Sequence, residues 1–282
     1  CTLTNANTTI SSERTSDNKA IHISTNSTFS HGNGTVTHTL NANTRYQRDG
    51  GIAVALNNFI QNNNSNLQVD PALTCAGNFT ITAGEFDTSG SNYGLTVTGK
   101  TTIAGTLTGN ASTLSLGSAF TTDYAVVVSG VLTGTGQWTM GSLDVSSSGN
   151  VTMTTHANGC TLSSRYATAG DNLRVHASST FNNSDGTVLM TADINNVEIQ
   201  CEKALHHLTI NSPTATRQFL LYEDLDVEGN LTITSGKFGT STGYGSGTSK
   251  ALTVDGNVSI EANGQMHGKA SAISMGSLTI AS

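Results

Sequence analysis

Few residues of this 282-residue chain have the type and spacing that chemistry requires. The densest set is Glu223, Asp224, Asp226 and Glu228 in EDLDVEG, four carboxylates whose oxygens suit a hard cation such as calcium. Asp224, Asp226 and Glu228 alternate with Leu225 and Val227, however, which is the pattern of a strand's solvent face, so a metal is the weaker candidate there. Glu85 with Asp87, and Glu198 with Glu202, are carboxylate pairs that a glycosidase could set across a groove, although nothing around them singles them out. His206 and His207 are adjacent and are expected on opposite faces of a strand, a poor metal pair. His22, His31, His38, His156, His176 and His267 are dispersed and form no HExxH frame. No GxSxG elbow in strand-to-helix context offers a serine nucleophile. Cys1, Cys75, Cys160 and Cys201 lack CxxC spacing and are expected as free thiols, Cys75 at an inward position. The expectation is no catalytic residue, no cofactor and no metal.

Whatever positions these side chains is a repeat. LTCAGNFTITAGEF, from Leu73 to Phe86, returns 152 positions later as LDVEGNLTITSGKF, from Leu225 to Phe238. At that offset Gly77, Asn78, Thr80, Ile81, Gly84 and Phe86 meet Gly229, Asn230, Thr232, Ile233, Gly236 and Phe238. A shorter form opens at Gly149 and Asn150 and again at Gly256 and Asn257. Upstream, STFSHGNGTV from Ser27 matches STFNNSDGTV from Ser179. Downstream the register slips through insertions: LTVTG at Leu95 answers LTVDG at Leu252, and STLSLGS at Ser112 answers SAISMGS at Ser271. The chain therefore divides into unit 1–152 and unit 153–282, the second truncated because 124–152 find no counterpart. A finer echo, GTLTG at Gly105 against GVLTG at Gly130, has the spacing of stacked coils.

Composition narrows the class. Charged residues make up 11% of the chain, against about 25% in an average domain, while Leu, Ile, Val and Phe recur at every second position in FTITAGEF and LTITSGKF. That alternation excludes a disordered chain and predicts strands with one buried face. A net charge of -7, with 12 Lys and Arg scattered singly, leaves no basic stripe for nucleic acid. No apolar run approaches the roughly 18 residues of a membrane span. The start at Cys1 is expected to reflect processing or a longer parent chain.

Short strands, a period near two dozen and recurring Gly-Asn corners together predict an all-β fold, a parallel β-solenoid in which like residues stack about 4.8 Å apart. Eleven or twelve such coils would make a rod on the order of 55 Å long. Glycine is expected to supply positive φ at the corners. TLT from Thr2 and AIHIS from Ala20 read as strands of a first coil, Gly50 and Gly51 as a turn, AVALNNFI as strand and Asn62 to Asn66 as a loop.

GNLTITSG, LTVDGNVSI, GTLTG and STFxxxxGTV, spread from Ser27 to Ile280, resemble the Thr-, Asn- and Gly-rich parallel β-helix repeats of phage tail fibres, tailspikes and other virion appendages. Similar repeats occur in bacterial surface adhesins. The resemblance carries no catalytic residue onto this chain. It implies a structural or interaction protein at a virion or extracellular surface, a rod that supports host contact, with an adhesin or filament subunit as the alternative and a polysaccharide-cleaving tailspike below both. The implied partners are copies of the chain, filament neighbours and a host-surface glycan or protein, with neither nucleic acid nor membrane insertion. Because neither end resembles a cap, the ends are expected to meet more chain or another subunit.

Overall fold

The computed structural model describes residues 7–11, 18–25, 27, 32–51, 53–117, 120–153, 159–164, 166–167 and 170–281. Cys1, TLT from Thr2, His31, His156 and most of STFSH lie outside them. The described chain is a parallel β-solenoid of about 11 turns, with 28 strands joined in one sheet and no α-helix. Each coil visits three faces in order, and the strands on a face pair in parallel from coil to coil, with a break on the second face after Thr180–Asn182, which pairs only with the coil before it. At about 4.8 Å per coil the rod is about 50 Å long.

The third face shows the construction most plainly. Its inward column runs through Val54, Leu73, Leu95, Leu114, Trp138, Cys160, Val188, Leu208, Leu231 and Val258 to Leu278, each in register with the next. All but Leu278 are buried. On the first face Val36, Phe59, Phe79, Thr101, Val126, Leu143, Leu173 and Ile199 line up in the same way, and on the second Leu67, Phe86, Leu107, Leu132, Val151 and Phe181. The three columns meet in a single apolar core. The alternation predicted for the repeat motif holds. Phe79, Ile81, Phe86, Leu231, Ile233 and Phe238 are fully buried, while Thr80, Thr82, Thr232 and Thr234 face outward.

The two copies of the motif do not occupy equivalent faces. Phe79 lies on the first face and its partner Leu231 on the third; Phe86 lies on the second and Phe238 on the first. Starting from Phe79, the chain returns to the first face six times, the last at Phe219, and then passes over two more faces to reach Leu231. The duplication thus spans six and two-thirds coils, and the second unit is the first moved along the rod and turned back by one face. By contrast, Leu107 of GTLTG and Leu132 of GVLTG sit on one face in adjacent coils, so the finer echo is one coil.

AVALNNFI forms strand, as predicted, and Gly50 and Gly51 fall in a 3-10 turn at Asp49–Gly51 with φ of 81° and 68°. Asn62 to Asn66 is not a free loop. It lies within strand Asn58–Asp70, which turns the corner while pairing with the coil above, with register shifts at Gln61/Asn62 and Asn62/Asn66. Side-chain carboxamides supply the ties: the Ser65 amide donates to Asn63 Oδ1 at 2.9 Å within the corner, and the Asn64 and Asn66 amides donate to Asn41 Oδ1 at 2.9 Å and Asn43 Oδ1 at 3.1 Å in the coil below. The register slip between the units also has a physical form. Between Gly239 and Leu252 the second unit inserts an antiparallel hairpin, Ser241–Gly243 with Ser246–Ser249, where the first unit has a short loop after Asp87.

Replacing Ile233 with Ala would leave a void against two neighbouring coils, and a loss of about 2–5 kcal/mol in chemical denaturation is expected. A loss below about 0.5 kcal/mol would show that the packing around this column is not tight.

Candidate functional site

The Gly-Asn signature acts between coils rather than within one. Asn58 Oδ1 accepts the Asn78 amide at 2.8 Å, and Asn78 Oδ1 accepts the Lys100 amide at 2.9 Å. At another corner His207 Nδ1 accepts the Asn230 amide at 2.8 Å, and Asn230 Oδ1 accepts the Asn257 amide at 2.9 Å. Each of these backbone N–H groups has turned out of the strand ladder at a corner and needs an acceptor. The side chain one coil below provides it. The glycine just before each such amide leaves room for that side chain: a Cβ on Gly77 would stand 2.2 Å from Asn58 Oδ1, on Gly99 2.6 Å from Asn78 Oδ1, on Gly229 2.4 Å from His207 Nδ1, and on Gly256 2.5 Å from Asn230 Oδ1. This corrects the expected role of these glycines, because Gly77, Gly149, Gly229 and Gly256 do not have positive φ; Gly84 and Gly236 do, at 75° and 116°. Asn150 serves its own coil, accepting from Thr152 Oγ1 at 3.0 Å.

Nearer the N-terminal end, polar side chains enter the core. His38 and Gln61 stand in the column that Ile81 and Ile103 continue, and both are fully buried. Asn63 Nδ2 donates to His38 Nδ1 at 2.8 Å, which puts the ring proton on Nε2, facing Thr44 Oγ1 at 3.2 Å. Tyr46 packs edge-on against His38 with centroids 5.6 Å apart. Burial lowers the His38 pKa from 6.5 to about 4.

The nominated side chains are drawn into similar ties. Glu85 accepts from Asn66 Nδ2 at 2.9 Å and Thr108 Oγ1 at 2.6 Å, and Asp87 from Asn110 Nδ2 at 2.7 Å and the Ser89 amide at 2.8 Å. Beside them the overhanging corner at Asn64 and Ser65 gives way to the tight corners at Gly84, Gly105 and Gly130, leaving an open groove of about 760 Å³. Asp226 lies exposed on strand Leu225–Val227, and Asp224 and Glu228 lie exposed at its two ends. Asp224 accepts the Ala251 amide at 2.8 Å, and Glu223 pairs with Lys250 at 3.3 Å. Among the described residues no cluster of His, Cys, Asp and Glu is arranged to hold a metal ion. His206 and His207 do not diverge as expected: their rings meet edge-to-face at 4.3 Å, because His206 occupies the corner, where strand alternation no longer applies. Cys75, Cys160 and Cys201 are free and buried, and burial pushes each thiol up to about 12.

Sequence reasoning missed one constellation. On the outer side of the first face, register sets Asp144 beside Arg174 and Asp171 beside Glu198. Arg174 grips Asp144 with Nε and Nη2, each at 2.8 Å, and its guanidinium lies 4.5 Å from the Tyr124 ring centroid. The Tyr124 hydroxyl and the Gln200 amide both donate to the buried Asp171. Burial raises the Glu198 pKa, opposed by a hydrogen bond from Tyr222 and reinforced by the charge of Asp171. Charge-assisted bonds of this kind tie four successive coils together. Of this constellation, sequence reasoning named only Glu198, weighed with Glu202 as a carboxylate pair.

No family model, no curated protein and no solved structure matches this chain.

Two outcomes are expected from these ties. Gly77→Ala and Asn58→Ala should each destabilise, the latter by about 1 kcal/mol, while the double variant should lose less than the sum, because removing the Asn58 carboxamide clears the space a Cβ needs. Strict additivity in a denaturation cycle would refute the coupling. For His38 the folded pKa lies below the unfolded value, so its contribution is complete above pH 6.5 and is lost as pH falls towards about 4, by about 3 kcal/mol in all. Stability measured across that window should fall in the parent and flatten in His38→Gln; parallel curves would show that other groups govern the acid limb.

Proposed function

We propose that the chain is a non-catalytic structural rod of a surface appendage, in the first place a phage tail fibre or other virion appendage. It would give length and present polar faces to a host glycan or protein, alongside copies of itself. The observation that supports this reading most is the unbroken inward column on the third face, from Val54 to Leu278. It runs as one continuous packed column through every coil from Val54 to the last described one, as a rod that carries load along its axis requires. Of the carboxylates weighed for chemistry, Glu85, Asp87, Glu223 and Asp224 are engaged in tying coils together, which fits a load-carrying part better than a reaction centre. A bacterial adhesin or extracellular filament subunit is served by the same geometry and is the alternative.

Antibodies raised against residues 1–282 should label virion particles; labelling of bacterial surface filaments would select the alternative, and labelling confined to the cell interior would refute both. Incubating the protein with surface polysaccharides should leave their chain length unchanged. Shortened products would overturn the non-catalytic reading in favour of the polysaccharide-cleaving one.

A further inference from the structure

The outward side of the third face differs from the rest of the surface. Its central row runs Ala55, Thr74, Thr96, Ser115, Thr139, Thr161, Leu189, Thr209, Thr232, Ser259 and Thr279, in register from coil to coil, so nine of eleven positions carry a hydroxyl. None of these residues is buried. Among the described residues, the outward positions within this face's strands carry one carboxylate, Glu261 at the rim, and His207, which burial and His206 keep towards its neutral form. The other two faces carry charge at the corresponding outward positions, with Asp144 and Arg174 on the first and Arg45, Asp87 and Asp226 on the second.

We propose that this uncharged hydroxyl face is where two copies of the chain pack against each other, face to face. Three observations select a second copy. Each copy carries a net charge of -7; association through the second face would bring carboxylates such as Asp87 and Asp226 together, and association through the first would desolvate the Asp144–Arg174 pair, whereas the third face brings almost no charge. The short side chains of Thr, Ser and Ala let two flat sheets approach closely, and the rigid repeat of about 4.8 Å is identical on both partners, so hydroxyl rows can interleave. The area is sufficient: about 50 Å by about 13 Å is roughly 650 Å² from each copy, or about 1,300 Å² in total, within the range of stable interfaces. A flat glycan is disfavoured because the row contains no aromatic side chain on which a sugar ring could stack.

Sedimentation velocity on the full chain across micromolar concentrations tests this. The parent is expected to dimerise. Thr139→Glu and Thr161→Glu, near the middle of the row, should weaken the dimer roughly a hundredfold or more, since like charges then meet across the contact. Thr102→Glu, which adds the same charge on the first face, should leave it intact, and matching thermal melts for all three would confirm that each variant folds. A parent that stays monomeric at tens of micromolar overturns the proposal, as does equal weakening by Thr102→Glu. Retention of a monomeric parent on neutral chitin or dextran beads, abolished by Thr139→Glu, would also overturn it by assigning the face to a glycan. None of these results bears on where the antibodies label, so the scaffold reading stands or falls separately.

Discussion

Every coil of this molecule must keep its strands one hydrogen-bond spacing above the coil below, and the rest of the structure follows from that constraint. Strands meet it through their own amides and carbonyls. Corners cannot, because there the backbone turns its N–H groups out of the ladder, and a corner amide left without an acceptor is unfavourable. Asparagine side chains close the gap at Asn58, Asn78 and Asn230 by reaching up one coil, and His207 does the same with a ring nitrogen. Each reaching side chain then forbids a Cβ at the position before its target. At Asn78 and Asn230 Gly-Asn is thus the trace of two contacts, one with the coil below and one with the coil above, each rung both receiving and giving.

The architecture was legible because its determinants are local. Period-two alternation in FTITAGEF and LTITSGKF placed Phe79, Ile81, Leu231 and Ile233 correctly in the core, since a strand's facing depends only on its neighbours. The recurrence of GTLTG as GVLTG marked one coil. What could not be read depends on which residues stack. Tyr124, Asp144, Asp171, Arg174 and Glu198 come together only because coils of unequal length deliver them to the same side of the first face. No spacing rule announces that. His206 was misplaced for a related reason: alternation was carried one residue past the end of a strand. The glycines of the corners were assigned to backbone conformation, yet their requirement is steric and originates in a neighbour some twenty residues earlier.

Charge is partitioned by face. The first face carries the Arg174 and Asp144 pair, the second carries Glu85, Asp87 and the exposed acids of the Leu225–Val227 region, and the third is almost neutral. In a chain with so few ionisable groups this division gives each side of the rod a distinct chemistry while the core beneath remains the same aliphatic and aromatic stack. A scaffold built this way can vary one side without disturbing the others, because outward residues on different faces share no contacts through the core.

The one-face rotation between the two units carries a consequence for how such a rod can change length. Sequence that lines one side in the first unit lines another in the second and still fills the core, so the three sides are interchangeable as hosts for the same segment. Growth by copying need not insert whole turns. A segment covering any number of sides joins smoothly, and the quantum of elongation is a single strand with its corner, about a third of the rise of a turn. Each fractional insertion also swings everything beyond it around the axis, so one copying event resets both the reach of the distal part and the direction in which its surface points.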